Sequence, residues 1–194
     1  SSLEEYDSPR QGGLIAITLK DKDEVVAASA ITSKDELLLI SKKGMSLRFT
    51  ADDDALRPMG RSATGVIGMK FRSGDELLSM ATIRNEKSSD AQFVITATDG
   101  GFGKRTNLDE YRSQGRGGIG VKAAKIDEGS RGILVGALVV KAGDEILLIT
   151  SSGVVMRTPV VELRETGRDT MGVRVVNLDD GVEVVSLTKV SEEE

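Results

Sequence analysis

The stretch Ser113-Gln114-Gly115-Arg116-Gly117-Gly118-Ile119-Gly120-Val121 decides how this chain is read, because versions of it return elsewhere in the sequence. Two others are Gly60-Arg61-Ser62-Ala63-Thr64-Gly65-Val66 and Gly167-Arg168-Asp169-Thr170-Met171-Gly172-Val173. A damaged form is Arg10-Gln11-Gly12-Gly13-Leu14-Ile15-Ala16. A glycine-rich turn that returns in register every fifty residues or so marks a repeat fold of blades or solenoid turns, here with a period of roughly 52 residues.

Working outward from each turn, the same order of segments follows. An apolar, partly alternating segment comes first: Leu14 to Leu19, Val66 to Phe71, Val121 to Ile126 and Val173 to Leu178. These are rich in β-branched residues and end in polar turns, which predicts first strands. Second strands are predicted at Val25 to Ile31, Leu77 to Ile83, Ile133 to Val140 and Val184 to Val190. The third strands are the most apolar: Glu36 to Ile40, Gln92 to Thr96 and Glu145 to Ile149. Each runs into a tight turn at Lys43-Gly44, Gly100-Gly101 or Ser152-Gly153, where glycine supplies positive φ at little steric cost. A fourth strand then carries an arginine four residues past the turn glycine: Arg48, Arg105 and Arg157.

No stretch keeps apolar residues at i, i+3, i+4 and i+7 between caps, so the chain is expected to be all-β. Three units of four strands (residues 10–59, 60–114 and 115–166) and a half unit (167–190) account for it, followed by an acidic tail, 191–194. Short strands in even, radially repeated units suit a propeller-like array, which leaves few open sheet edges. The half unit implies that neighbouring blades exchange strands or that the ring is cut. Leu3, Glu5, Tyr6, Ser8, Gly12 and Gly13 match Leu108, Glu110, Tyr111, Ser113, Gly117 and Gly118 without a gap. The chain is therefore expected to begin inside a repeat, with an upstream part outside this sequence.

Composition narrows the chemistry. The 194 residues include neither cysteine nor histidine. Disulfides, thiolate metal sites and histidine-activated nucleophiles are thereby removed. The longest apolar run, Ile133 to Val140, is broken by Gly136 and far shorter than the roughly 20 residues that span a bilayer. No export signal opens the sequence, and a cytoplasmic location is the expectation.

Three motif matches carry little. Gly115-Arg116-Gly117-Gly118-Ile119-Gly120 fits G-x-G-x-x-G, but it opens a strand rather than a helix, and its register mates lack the middle glycine. Gly103-Lys104-Arg105-Thr106 resembles the end of a phosphate loop without its first glycine. Asp52-Asp53-Asp54 lacks the glycine and glutamate of a calcium loop and reads as a solvated connector. No metal or cofactor is expected.

Charge is more informative. The formal net charge of -5 argues, as an average, against a nucleic-acid partner. Yet basic residues gather at the glycine-arginine turns, the first strands and the fourth-strand hairpins. They are Lys42, Lys43, Arg48, Arg61, Lys70, Arg72, Lys104, Arg105, Arg112, Arg116, Lys122, Arg157, Arg168 and Arg174. Acidic residues gather before the second and third strands, as in Asp23-Glu24, Asp35-Glu36, Asp75-Glu76 and Asp144-Glu145. In a ring of blades, equivalent positions share a rim, so recurrent lysines and arginines would form a belt suited to the phosphates of duplex DNA. Two tyrosines, four phenylalanines and no tryptophan are too few for base-stacking platforms. Mixed charge that merely keeps a repeat protein soluble is the alternative.

With these residues in view, the chain resembles the C-terminal domain of the DNA gyrase A subunit, and more distantly that of topoisomerase IV. Gln114-Gly115-Arg116-Gly117-Gly118-Ile119-Gly120 resembles the gyrase box Q-R-R-G-G-x-G, with glycine in place of the first arginine. Asp99 to Thr106 and the degenerate boxes at 60–66 and 167–173 extend the likeness over almost the whole chain.

The resemblance implies a β-pinwheel, a propeller-like ring with exchanged strands, whose basic outer rim binds and bends duplex DNA during ATP-dependent negative supercoiling. It further implies about six blades in the whole domain, the N-terminal ones lying upstream of this sequence. Catalysis, ATP and magnesium would belong to other parts of the gyrase A subunit and to the gyrase B subunit, leaving this domain non-catalytic. Gln114, Arg116, Gly117, Gly118 and Gly120 carry over to the box, and Gly115 does not. Lys42, Lys43, Arg48, Arg61, Lys104, Arg105, Lys122, Arg157 and Arg168 carry over as a class of rim cations. A topoisomerase IV domain, or a propeller-type scaffold for protein or sugar, are the alternatives.

Overall fold

The computed structural model describes residues 1–9, 12–85 and 91–190. The expectations for Arg10, Gln11 and the tail 191–194 lie outside the described residues. Eleven strands, with single turns of 3-10 helix between some of them, form the described structure. They are β1 (Glu36–Ser41), β2 (Met45–Thr50), β3 (Leu77–Ile83), β4 (Gln92–Thr98), β5 (Phe102–Asn107) and β6 (Val121–Lys122). The rest are β7 (Leu134–Lys141), β8 (Glu145–Thr150), β9 (Val155–Pro159), β10 (Val173–Arg174) and β11 (Val184–Lys189).

The strands combine into antiparallel sheets in the orders β3-β1-β2-β6, β10-β5-β4-β7 and β11-β8-β9. No sheet matches a sequence repeat. The hairpin β1–β2 takes its second-strand neighbour, β3, from the next repeat and its first-strand neighbour, β6, from the repeat after that. The hairpin β4–β5 does the same with β7 and β10. The repeat 115–166 is thus spread over three sheets, with β6, β7 and β8–β9 in one each, so the expected strand exchange is present.

The core follows the two-residue period of the third strands. Leu38 and Ile40 of β1 face a cluster with Ile83, Val94, Leu108, Tyr111 and Leu134, between the first two sheets. Leu37 and Leu39 turn the other way, onto Leu47, Phe49 and Met69. Phe93 and Ile95 of β4 join Ile146, Leu148, Val160 and Leu187 between the second and third sheets. Burial on both faces explains why these strands read as nearly unbroken apolar runs. The second-strand elements β3, β7 and β11 touch one another from sheet to sheet and so form the inner edge. The short first strands β6 and β10 therefore lie at the outer edge.

The first strands depart from expectation. Ladder pairing covers only Val121–Lys122 and Val173–Arg174, and none is formed by Leu14 to Leu19, Val66 to Phe71 or the second-strand segment Val25 to Ile31. The exchange rule explains this, since these segments would belong to sheets whose central hairpin is not among the described residues. Their apolar side chains accordingly lie open, with Ile15 77%, Val25 56% and Ile67 60% exposed.

Candidate nucleic-acid interface

The glycine-rich turns sit on the outer edge, and two of them, at 115–120 and 167–172, end a connector docked against the fourth strand of the preceding repeat. Ser113 pairs in parallel with Arg48, and the Gln114 amide donates to the Arg48 carbonyl at 2.8 Å. One repeat on, Glu165 pairs with Arg105 and the Thr166 amide donates to the Arg105 carbonyl at 2.9 Å. Glycine is required where the connector meets the strand. At Gly120, φ is 79°, and a Cβ would lie 1.9 Å from the Ser46 carbonyl oxygen. At Gly172, φ is 76° and the Gly103 oxygen would be 2.5 Å away. Ser46 in turn donates its hydroxyl to the Val121 carbonyl at 2.9 Å, fastening β6.

The turn arginines repeat one contact three times. The Arg61 guanidinium donates to the Ile15 carbonyl at 2.7 Å, Arg116 to that of Ile67 at 2.5 Å, and Arg168 to that of Lys122 at 2.6 Å. The three acceptors occupy the same register, two residues past the positive-φ glycine of the preceding repeat. Arg116 also donates from Nε to the Ala55 carbonyl at 2.7 Å. All three side chains are half-buried latches between repeats. Beside Arg116, the buried Gln114 Nε2 has no hydrogen-bond partner. Gly117 donates its amide to the Gly68 carbonyl, and Gly118 accepts from the Lys70 amide, both at 2.8 Å.

The fourth-strand arginines split. Arg48 is bound by Glu36 and donates to the carbonyls of Leu108 at 3.2 Å and Tyr111 at 3.1 Å. Arg105 lies 3.4 Å from the Glu165 carboxylate and 4.7 Å over the Phe93 ring. Both join blades and are mostly withdrawn from solvent. Arg157 is exposed and paired with Glu145, whose hydrogen bonds hold its guanidinium above the ordinary pKa.

Lys104, grouped above with the rim cations, is buried, 1% exposed, beneath the last glycine-rich turn. Its ammonium donates to the carbonyls of Gly167 at 2.9 Å and Arg168, and faces the Thr170 hydroxyl at 3.3 Å. Burial pulls its pKa down to about 8. The residues at its register in the other fourth strands are Leu47 and Met156, so this is a core position that happens to hold a lysine.

The hairpin lysines turn toward acidic connectors. Lys42 meets Glu76 at 2.5 Å and Lys43 meets Glu128 at 3.5 Å. Lys122, on the outer edge, is exposed and 3.2 Å from Asp169. The structure thus brings Arg61, Arg116, Arg168 and Lys122 to one edge with the box glycines and sends Lys42 and Lys43 elsewhere.

Other outer-edge cations have no carboxylate partner among the described residues. Lys70, Lys125 and Arg174 lie on the first-strand segments and Arg72 just past one, all exposed. Arg174 stacks at 4.6 Å over Phe102, whose ring also meets Arg131 at 4.5 Å. Two guanidiniums at such distances must occupy opposite faces of the ring. Lys125 stands five residues past its turn glycine, as Lys70 does, and so was visible in the repeat pattern although it was not singled out; Arg131 was not singled out either. The same holds for Arg57 and Arg164, exposed in the connectors, although their spacing from the turn arginines is visible in the sequence.

The fold and this edge define a strand-exchanged β-propeller with basic inter-blade connectors. A family model described as "DNA gyrase C-terminal domain, beta-propeller" matches residues 1–32, 35–84, 92–141 and 144–191. The chain belongs to the DNA gyrase C-terminal domain family.

It is 58% identical over 195 residues to the DNA gyrase A subunit of Streptomyces coelicolor, a match spanning 98% of this chain and 22% of that protein. With the DNA gyrase A subunit of Mycolicibacterium smegmatis it shares 44% identity over 194 residues, again 22% of the relative. The chain therefore spans about a fifth of the length of these relatives. Among solved structures, a DNA gyrase A C-terminal domain superposes with a TM-score of 0.80 at 30% identity, covering 92% of this chain and 58% of the other. A topoisomerase IV C-terminal domain gives 0.87 at 28% identity, covering 97% and 57%.

Proposed function

We propose that this chain is a non-catalytic DNA-binding and DNA-wrapping domain of a bacterial DNA gyrase A subunit. It bends duplex DNA around its basic outer edge and so supports ATP-dependent negative supercoiling by the complete cytoplasmic enzyme. Partners are duplex DNA, the rest of the A subunit and the gyrase B subunit; ATP and magnesium act in those other parts. The observation that carries this reading is the set of exposed cations on or just past the first strands, Lys70, Arg72, Lys125 and Arg174, left without carboxylate partners among the described residues of an otherwise acidic chain. Such cations release counterions from phosphates and read no base sequence, which suits a protein that must act on any duplex. Bending costs a few kcal/mol per site, so flexible sequences should be preferred.

The topoisomerase IV reading is favoured by the higher TM-score, 0.87 against 0.80. Gyrase is preferred because the 58% identity is to a gyrase A subunit. Fluorescence anisotropy with a duplex of about 40 base pairs, at several salt concentrations, should give a log-log slope equivalent to several phosphate contacts at roughly 0.9 each. No salt-dependent binding, even at low salt, would overturn the proposal. If binding is found, ligation of nicked circles on the protein should trap writhe.

A further inference from the structure

Three connectors carry the same five-residue frame: Arg57-Pro58-Met59-Gly60-Arg61, Arg112-Ser113-Gln114-Gly115-Arg116 and Arg164-Glu165-Thr166-Gly167-Arg168. The two arginines of each frame have opposite fates. The second, four residues on, is the half-buried latch whose guanidinium is spent on a main-chain carbonyl of the preceding repeat. The first is exposed in all three frames, and among the described residues its side chain makes no hydrogen bond and no ion pair. A latch arginine that left its carbonyl for a phosphate would undo the joint between repeats. The first arginine can meet a phosphate at no such cost.

The exposed arginines also stand on fixed backbone. Arg112 precedes the Ser113 bridge to Arg48, and the Arg164 carbonyl itself accepts from the Arg105 amide at 3.2 Å. Glu165, the carboxylate next in sequence to Arg164, is taken up by Arg105 at 3.4 Å and so does not neutralise Arg164. The same docking presents the guanidiniums of Arg112 and Arg164 at equivalent places along the outer edge, and Arg57 holds the matching position of its own frame, exposed and with no side-chain partner among the described residues. Evenly placed cations that carry no base-reading partner match a sugar-phosphate backbone running from blade to blade.

We propose that Arg57, Arg112 and Arg164 form a second phosphate-contacting series beside the first-strand cations, and that Arg61, Arg116 and Arg168 act as positioning residues that hold this series in place. The proposal rests on the duplex-binding reading above and assigns its residues.

The test compares the chain with two triple variants and a latch pair by anisotropy on the same duplex across a salt series. Arg57→Gln, Arg112→Gln and Arg164→Gln together should lower the salt slope by about 0.9 per lost contact and leave the melting temperature unchanged. The triple Arg→Lys variant, which keeps the charge, should retain most of the slope. Arg116→Gln with Arg168→Gln should instead lower the melting temperature, while below it the slope stays near that of the parent chain. An unchanged slope in the glutamine triple, with the parent chain binding, overturns this proposal alone. A slope lost from the latch pair at a temperature where it is fully folded also overturns it. If the parent chain shows no salt-dependent binding, the duplex reading itself falls.

Discussion

At Lys104, a single residue converts local chemistry into a pH dependence. Burial holds its pKa at about 8, below the ordinary 10.5. Below about pH 8 the ammonium is charged in both folded and unfolded chains, and the desolvation penalty is present in full. Between 8 and 10.5 the unfolded chain binds more protons, so stability rises with pH across this window. The melting temperature of the chain should therefore climb from pH 8 toward 10 relative to Lys104→Met, which copies Met156; parallel curves would refute this origin. Gly120 is the corresponding steric test. Gly120→Ala forces a side chain into positive φ against the Ser46 carbonyl, and the backbone conformation alone costs about 1–3 kcal/mol. Its urea midpoint should fall clearly, whereas Gly143→Ala, with nothing within 4 Å of the new methyl group, should change little.

At the level of elements, equivalent segments differ because their partners differ. Val184–Lys189 pairs with β8 and Leu134–Lys141 with β4, but Val25 to Ile31, in the same place in its repeat, has no ladder partner among the described residues. Hydrogen exchange should separate them. Amides of 25–31 should exchange orders of magnitude faster than those of β7, and equal protection would show that the segment is paired after all. The third and fourth strands were readable from sequence because both the apolar run and the glycine turn are local signals. The first strands were readable as positions but not as ladders, since pairing at the outer edge reaches only two residues before the connector leaves it.

Across the whole molecule, the net charge of -5 hides a division between paired and unpaired cations. Hairpin lysines meet the acidic connectors, fourth-strand arginines join the blades or pair with the carboxylate that opens the third strand, and the outer edge keeps the unpaired ones. The basic residues that recur by repeat position reach the outer edge only in part, because a recurrent arginine can recur for packing as readily as for a partner. By itself the sequence determined the repeat, the strand types, the turn glycines and the family resemblance, all of which depend on residues near one another in the chain. Only the tertiary structure decided which repeats share a sheet, that Lys104 is core, and that the turn arginines are latches. Those outcomes depend on contacts between residues far apart in the chain, 46 and 49 for the latches, where burial and carbonyl acceptors, which no local pattern records, determine how each charge is used.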